Sequence, residues 1–260
     1  VPKMASPSRS PLPAMAVRSS AWVSAGLKTV WAIHSGIWLG LMDADDLQRA
    51  TDLYYASSPR WQNPDLDLGL FDWEASAISS HFPPTGRVLV ASAGSGREVR
   101  ALSALDYEIV GYDPSPELVD VAAQHGIELQ ISDGPNPPET VAGPFDATVF
   151  GWGGISHVIG RQHRVAALSS LRGLMATGSP ILVSHLGRTP RQAGLAITYR
   201  TASVMRRLRG LPAPELGDSV SGSFDHHFTT DEIASELTTS GFTIVQSAMR
   251  PYPHVVAVAS

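Results

Sequence analysis

From Arg87 onward, short β-branched runs alternate with helical patterns, and this alternation constrains the chain more than any other feature. RVLVAS, YEIVGY, IELQIS, DATVFGW and PILVSHL read as strands, with REVRALSAL, PELVDVAAQHG and HRVAALSSLRGLM as helices among them. Strands that alternate with helices connect by right-handed crossovers, so the sheet is parallel and covered on both faces. The C-terminal end breaks the pattern. TTDEIASELTTSGF reads as a helix opened by a capping box of Thr229 and Glu232 and closed at Gly241. FTIVQSAM and HVVAVAS follow, separated only by RPYP. A connection that short is a hairpin, so the last two strands run antiparallel to each other.

The N-terminal third has a different texture. Residues 1–20, with the Ser- and Pro-rich ASPSRSPLPA, read as a disordered leader. Residues 21–84 read as a helical lid or cap. Its first helix spans 21–42, where Val23, Leu27, Val30, Trp31, His34, Trp38 and Leu41 recur at three- and four-residue steps and predict a broad buried face. The stretch is about long enough to span a bilayer, but Lys28, His34, Ser24, Ser35 and several glycines interrupt it. A packing helix is therefore expected, with a membrane anchor as the second reading. Asp43 is placed to cap a second helix through DADDLQRATDLYYAS, a turn-rich linker covers Pro59 to Pro64, and GLFDWEASAISSHF forms a third helix stopped by Pro83 and Pro84.

Composition removes several chemistries. With no cysteine there is no disulfide framework, no thiol nucleophile and no thiolate metal site. A net charge of −5 offers no overall attraction to nucleic acid or anionic membranes. Hydrophobic residues at 43% support a full core and a globular chain, for which a cytoplasmic location is expected.

The loop Ala91-Ser92-Ala93-Gly94-Ser95-Gly96 lies between the first strand and its helix. A backbone that turns sharply there and lets a ligand approach needs glycine. Arg97 and Glu98 open a helix whose N–H groups face the loop. Asp113 ends the second strand, where a carboxylate can accept both hydroxyls of a ribose. The nicotinamide fingerprint wants a third glycine where Val99 stands, and no P-loop lysine is present. The short loop suits a nucleoside ligand without a pyrophosphate.

From about residue 70 to 260 the chain resembles the class I S-adenosylmethionine-dependent methyltransferases. The resemblance rests on VLVASAGSGRE, IVGYDPSPELVDVA, ISDGP, FDATVFGWGGISHV, LRGLMATGSPILVSH and FTTDEIASELTTSGFTIV, in that order and spacing. It implies an α/β, Rossmann-like three-layer sandwich over residues 85–260. The sheet would be seven-stranded and mostly parallel, with a C-terminal antiparallel hairpin and a helical insertion at 188–224. The implied cofactor is S-adenosyl-L-methionine, and the product S-adenosyl-L-homocysteine. By the same resemblance Ser92, Ala93, Gly94 and Gly96 lie beneath the cofactor, Asp113 and Pro114 hold its ribose, and Asp133 and Gly134 meet its adenine. Gly151 and Trp152 stand where the sulfonium is held and the acceptor enters. The family's acid at the position of Val90 and its glycine at that of Ser92 are both missing, and Glu98 or Tyr55 is placed to substitute.

Methyl transfer needs a base only when the acceptor carries a proton that must leave. His157, on the loop after the fourth strand, is the first candidate and His227 the second. Tyr55, Trp152, His157 and His226 are expected on the acceptor side, and His185 is a further histidine that could face the cleft. Asp225-His226-His227 invites a metal reading, but no paired carboxylates sit at matching positions after the fourth strand, so no metal is expected. The segment RQAGLAITYRTASVMRRLRG, with Leu195, Tyr199, Val204, Met205 and Leu208, reads as an amphipathic substrate lid. Trp22, Trp31, Trp38, Trp61 and Trp73 suggest an aromatic cover over an apolar acceptor pocket. GWGG stands where amine-methylating nucleobase enzymes carry Asp/Asn/Ser-Pro-Pro-aromatic, and the thiol of cytosine-C5 enzymes is absent. The expected activity is methyl transfer to oxygen or nitrogen of a small molecule, with secondary metabolites among the acceptors considered, without nucleic acid or membrane partners; a homodimer is compatible. The alternatives are a relative that retains the cofactor for cyclisation or rearrangement, and a cofactor-free scaffold.

Overall fold

The computed structural model describes residues 12–57, 68–189 and 192–260, with side chains from residue 26 onward. The seven-stranded sheet has the order β3-β2-β1-β4-β5-β9-β8. Its strands are β1 (Arg87–Ala91), β2 (Glu108–Asp113), β3 (Gln130–Ile131), β4 (Ala147–Phe150), β5 (Pro180–Ser184), β8 (Phe242–Ala248) and β9 (His254–Ala259). Pairings among β1 to β5 are parallel, while β9 runs antiparallel to both β5 and β8. This is the expected architecture. β1, β4 and β5 are buried on both faces, which explains their continuous apolar runs. The order reverses between β1 and β4, so a crevice opens at the carboxyl ends of these strands.

Helices α4 (Arg97–Ser103), α5 (Pro116–Gln124), α6 (Arg161–Gly173) and α8 (Thr230–Thr239) are the crossover helices. The capping box of Thr229 and Glu232 opens α8 as expected. Two clusters of buried side chains lie on the two faces of the sheet, one around Phe145, Phe150 and Phe228, the other around Trp73, Val90 and Leu102. Val90 is fully buried there, so an acid at this position would point into the core.

The N-terminal helices are α1 (Leu12–Leu41), α2 (Ala44–Ser57) and α3 (Asp72–His81). Asp43 caps α2 as expected, its Oδ1 accepting from the Asp46 N–H at 2.9 Å. α1 begins at Leu12, inside the span read as a leader, and residues 1–11 lie outside the described ones. The linker around Pro59–Pro64, with Trp61, also lies outside them.

The buried face of α1 corrects the expectation from its apolar stripe. Ala32, Ser35, Gly36, Leu39 and Gly40 are buried, whereas Leu27, Val30, Trp31, Trp38 and Leu41 are exposed. Small residues win because α1 packs against α7 (Ala193–Arg209) at backbone distance. A Cβ on Gly36 would stand 2.7 Å from Thr198 O, and one on Gly40 2.6 Å from Met205 Cβ. Thr198 donates to Ala32 O at 3.0 Å. Arg206 donates to Leu39 O and Met42 O, both at 2.8 Å, and Arg209 to Leu41 O, so cations close the C-terminus of α1. No helix among the described residues is long and apolar enough to cross a membrane.

The insertion carries more than a helix. After α7 comes a two-stranded hairpin, β6 (Asp218–Val220) and β7 (Phe224–His226). Ser35 Oγ accepts from Val220 N at 2.8 Å and Thr51 Oγ1 from Phe224 N at 3.0 Å, which fastens the hairpin to α1 and α2.

Candidate functional site

One cavity of about 840 Å³ lies in the crevice at the carboxyl ends of the strands. The loop after β1, the end of β2, the loop after β3, the loop after β4 and one face of α2 surround it. Of the expected residues, Tyr55, Ser92, Ala93, Gly94, Glu98, Asp113, Pro114, Gly134, Trp152 and His157 line it.

The glycine loop is shaped for close approach. Gly94 has φ +57, and a Cβ there would meet nothing within 4 Å, so the backbone at this point faces open space. Gly96, at φ +92, answers to packing: its Cβ would meet Ile127 at 2.9 Å. Gly151 likewise makes room for protein, since a Cβ would stand 2.2 Å from Ser92 O. Ser92 sits at φ +51, in the left-handed region where a side chain costs energy. Glycine's absence at this position is therefore strain retained beside the cavity.

Asp113 is buried at the tip of β2. Its Oδ2 accepts from Gly94 N at 2.7 Å and its Oδ1 from Ser115 N at 2.9 Å. Burial nevertheless pushes its carboxyl up to about 6, the two N–H donors opposing and the Glu98 charge adding to the rise.

Arg97, which the sequence reading passed over as a helix opener, anchors the floor of the cavity. It forks onto Glu74 at 2.7 and 2.8 Å, reaches Glu98 at 2.8 Å and Gly69 O at 2.6 Å, and lies over the Phe71 ring at 4.3 Å. Burial works against the guanidinium, but the two carboxylates outweigh it and hold it above its ordinary value. Burial raises the Glu98 carboxyl, with Arg97 opposing.

The opposite wall holds the histidine. His157 ends a 3-10 turn, Gly154–His157, after β4. Its Nδ1 is 2.9 Å from Phe224 O and 3.3 Å from Asp225 Oδ1. A carbonyl can only accept, so Nδ1 carries the hydrogen and Nε2 is the basic nitrogen. The Tyr55 hydroxyl, 2.8 Å away, donates to Nε2. Burial raises the Tyr55 phenol, with the Asp225 charge adding to it, so the phenol stays neutral. Gln48, Thr51 and Asp52 of α2 continue this wall, with Val158 and Ile159 beside them.

Asp225 was missed, although the pattern held a signal for it. Alternation along β7 sends successive side chains to opposite faces. Asp225 faces His157, and His226 therefore faces away. His226 is buried with its Nδ1 2.7 Å from Asp218 Oδ1, and it lines a separate cleft with Arg164 and Glu215, which corrects its expected place near the acceptor. His227 does not reach the cavity either; it is half-buried beside Gly187 and Arg188, and burial lowers its basicity. Glu215, Asp218 and His226 cluster closely enough for a metal, but Arg164 donates to Glu215 at 2.6 Å and supplies the positive charge. His185 is buried against Phe228, its imidazole pushed down to about 4 by burial, and it also misses the cavity. Asp133 is exposed and does not line the cavity, although its neighbours Gly134 and Pro135 do.

The expected covers differ too. Neither α1 nor α7 lines the cavity among the described residues, so α2 is the wall and α7 serves as a support for α1. Trp31 and Trp38 face outward, and Trp73 stacks on Tyr252 and His254. The side chain of Trp22 lies outside the described ones. Phe71 and Trp152, with ring centroids 5.3 Å apart, are the aromatics that line the cavity with Tyr55.

No family model and no curated protein matches this chain. Solved structures do. A SAM-dependent methyltransferase from Methanosarcina mazei aligns at TM-score 0.58 and 16% identity, over 74% of this chain and 98% of its own. The 1,6-didemethyltoxoflavin-N1-methyltransferase of Burkholderia thailandensis, solved with 1,6-didemethyltoxoflavin and S-adenosylhomocysteine, aligns at 0.54 and 16% identity. That alignment covers 99% of this chain and 93% of the other. An amino pentose methyltransferase from Micromonospora echinaspora, solved with SAM, aligns at 0.52 and 13% identity over 80% and 95%. The chain thus has the class I fold that these S-adenosylmethionine-dependent methyltransferases share.

Proposed function

We propose that this protein is an S-adenosylmethionine-dependent methyltransferase acting on oxygen or nitrogen of a small molecule. One observation carries the reading. A single cavity joins a glycine loop and a ribose-type carboxylate at one end to a hydrogen-bonded Tyr55–His157 pair at the other. The residues fit the cofactor. Gly94 leaves open space for its methionyl and ribose parts, and Asp113 offers a carboxylate to the ribose hydroxyls. Glu98, held by Arg97, is the acid for the amino group in place of the missing one at Val90. The solved neighbours with bound SAM or S-adenosylhomocysteine support this assignment.

The cofactor, when bound, supplies a methyl group on a sulfonium, a strong electrophile that needs no further activation. This chain's residues then have two tasks. Phe71 and Trp152 bound the cavity and exclude water from the reacting centre. Tyr55 and His157 take the acceptor's proton: the phenol oxygen accepts it while its own hydrogen passes to His157 Nε2. Asp225, 3.3 Å from Nδ1, stabilises the imidazolium that results. The α2 wall, with Gln48, Thr51 and Asp52, gives the acceptor polar partners alongside an apolar strip.

Calorimetric titration with S-adenosylmethionine and S-adenosylhomocysteine tests the reading. Binding of both is expected, and folded protein that binds neither overturns it. Turnover with the methyl group retained on the cofactor would instead identify a rearrangement catalyst.

A further inference from the structure

We infer that the outer face of α1 is the interface of a homodimer, in which two α1 helices pair antiparallel about a two-fold axis near His34. The stripe that the sequence marks as a buried face is exposed: Leu27, Val30, Trp31, Ile37, Trp38 and Leu41 stand 38 to 64% open. The inner face is already occupied by α7, through Gly36 and Gly40, so the stripe cannot turn inward. It contributes nothing to the cavity and carries no charged side chain. Apolar patches of a few hundred Å² are the ordinary limit on a monomer. At 38 to 64% exposure these six large side chains present several hundred Å² of apolar surface, approaching the roughly 800 Å² per partner of a standard protein interface.

The arrangement of the stripe names the partner. Around His34 the residues fall at steps of three, four and seven in both directions: Trp31 and Ile37, Val30 and Trp38, Leu27 and Leu41. An antiparallel copy therefore meets the stripe in register, large residue against large residue. A two-fold interface requires this self-complementarity. His34 already accepts from Trp38 Nε1 at 2.9 Å and sits edge-on to Trp31, so the centre of the stripe is ordered before pairing. Depletion of charge and two tryptophans match the composition of interface cores.

The test uses the full chain. Light scattering coupled to size exclusion at about 50 μM should give twice the 27.7 kDa protomer mass. The double variant Trp31→Glu, Ile37→Glu should give the protomer mass, with circular dichroism unchanged. The absence of cysteine supplies a second readout that does not depend on that variant folding. His34→Cys places one thiol on the axis and should form a covalent dimer on mild oxidation, whereas Glu108→Cys, at the exposed start of β2, should not. A wild type that runs as a monomer overturns the inference, as does a monomer that floats with phosphatidylserine vesicles, which would assign the stripe to lipid. A dimer that survives the double variant and leaves His34→Cys uncrosslinked overturns it too, because another face would then be responsible.

Discussion

Replacing Asp113 with Asn should separate cofactor affinity from fold stability, because the structure sets the two against each other. The carboxyl of Asp113 is pushed up to about 6 by burial from an ordinary 3.8, so its ionised form is disfavoured in the folded protein. By linkage, the stability this group contributes is fully present below about pH 4 and is lost as the pH rises through 6, a change of about 3 kcal/mol. Asp113→Asn removes that burden at pH 7.5. Its amide still accepts from one of Gly94 N and Ser115 N and leaves the other unpaired, at a cost of about 1–3 kcal/mol. The ligand-free melting temperature should therefore stay level or rise. Cofactor binding should move the other way. Two charge-assisted hydrogen bonds to ribose are replaced by one neutral one, a loss of about 3 kcal/mol, or roughly 100-fold in Kd. In the wild type, only the ionised carboxyl accepts both hydroxyls, so Kd for S-adenosylhomocysteine should rise about tenfold per pH unit below 6. Calorimetry in buffers of different ionisation enthalpy should detect proton release on binding at pH 5.5, and none for the variant. A wild-type Kd that is flat from pH 5 to 8, or a variant that binds within threefold of wild type, would refute the argument.

His157→Ala should lower kcat by about 10²–10⁴ while leaving the Kd for S-adenosylhomocysteine unchanged, measured once an acceptor is found. Asp225→Asn should cost less, because it removes the imidazolium's partner while Phe224 O still holds the Nδ1–H tautomer and the base is kept. Arg97→Met leaves the buried Glu74 and Glu98 carboxylates without their cation, and chemical denaturation should register a loss of about 3–5 kcal/mol. A loss below 1 kcal/mol would show that the two acids share a proton instead. Ser92→Gly relieves a side chain at φ +51 and should stabilise the protein by about 0.5–1 kcal/mol after the entropy of the added glycine is subtracted.

The sheet was legible because its evidence is local. Each strand carries its own β-branched run, and the RPYP connection alone dictates the antiparallel end. The glycine loop and Asp113 were legible for the same reason, lying at fixed offsets from strand ends. The far wall of the cavity was not. Tyr55, His157 and Asp225 come from α2, the loop after β4 and a short hairpin inside the insertion, and only the packing of α2 on β7 brings them together. The period of α1 correctly marks a helix, but the buried face is the one whose small residues admit α7, with Leu39 the large side chain buried among them. Close approach to α7 selected Gly36 and Gly40 and left the tryptophans outside. His226 and His227 drew notice for their chemistry, while the residue that reaches the site was the aspartate before them.

The pairing of α1 with α7 also sets an order of events during synthesis. Ala32 and its partner Thr198 are separated by 166 positions. At a ribosome's pace of about 5–20 residues per second, the first helix waits roughly 8 to 30 seconds before the surface it docks on exists. Throughout that interval both its faces, glycine and tryptophan alike, are without their final neighbours. The rate at which the ribosome travels from α1 to Arg209 therefore governs how long this helix stays open to misassociation.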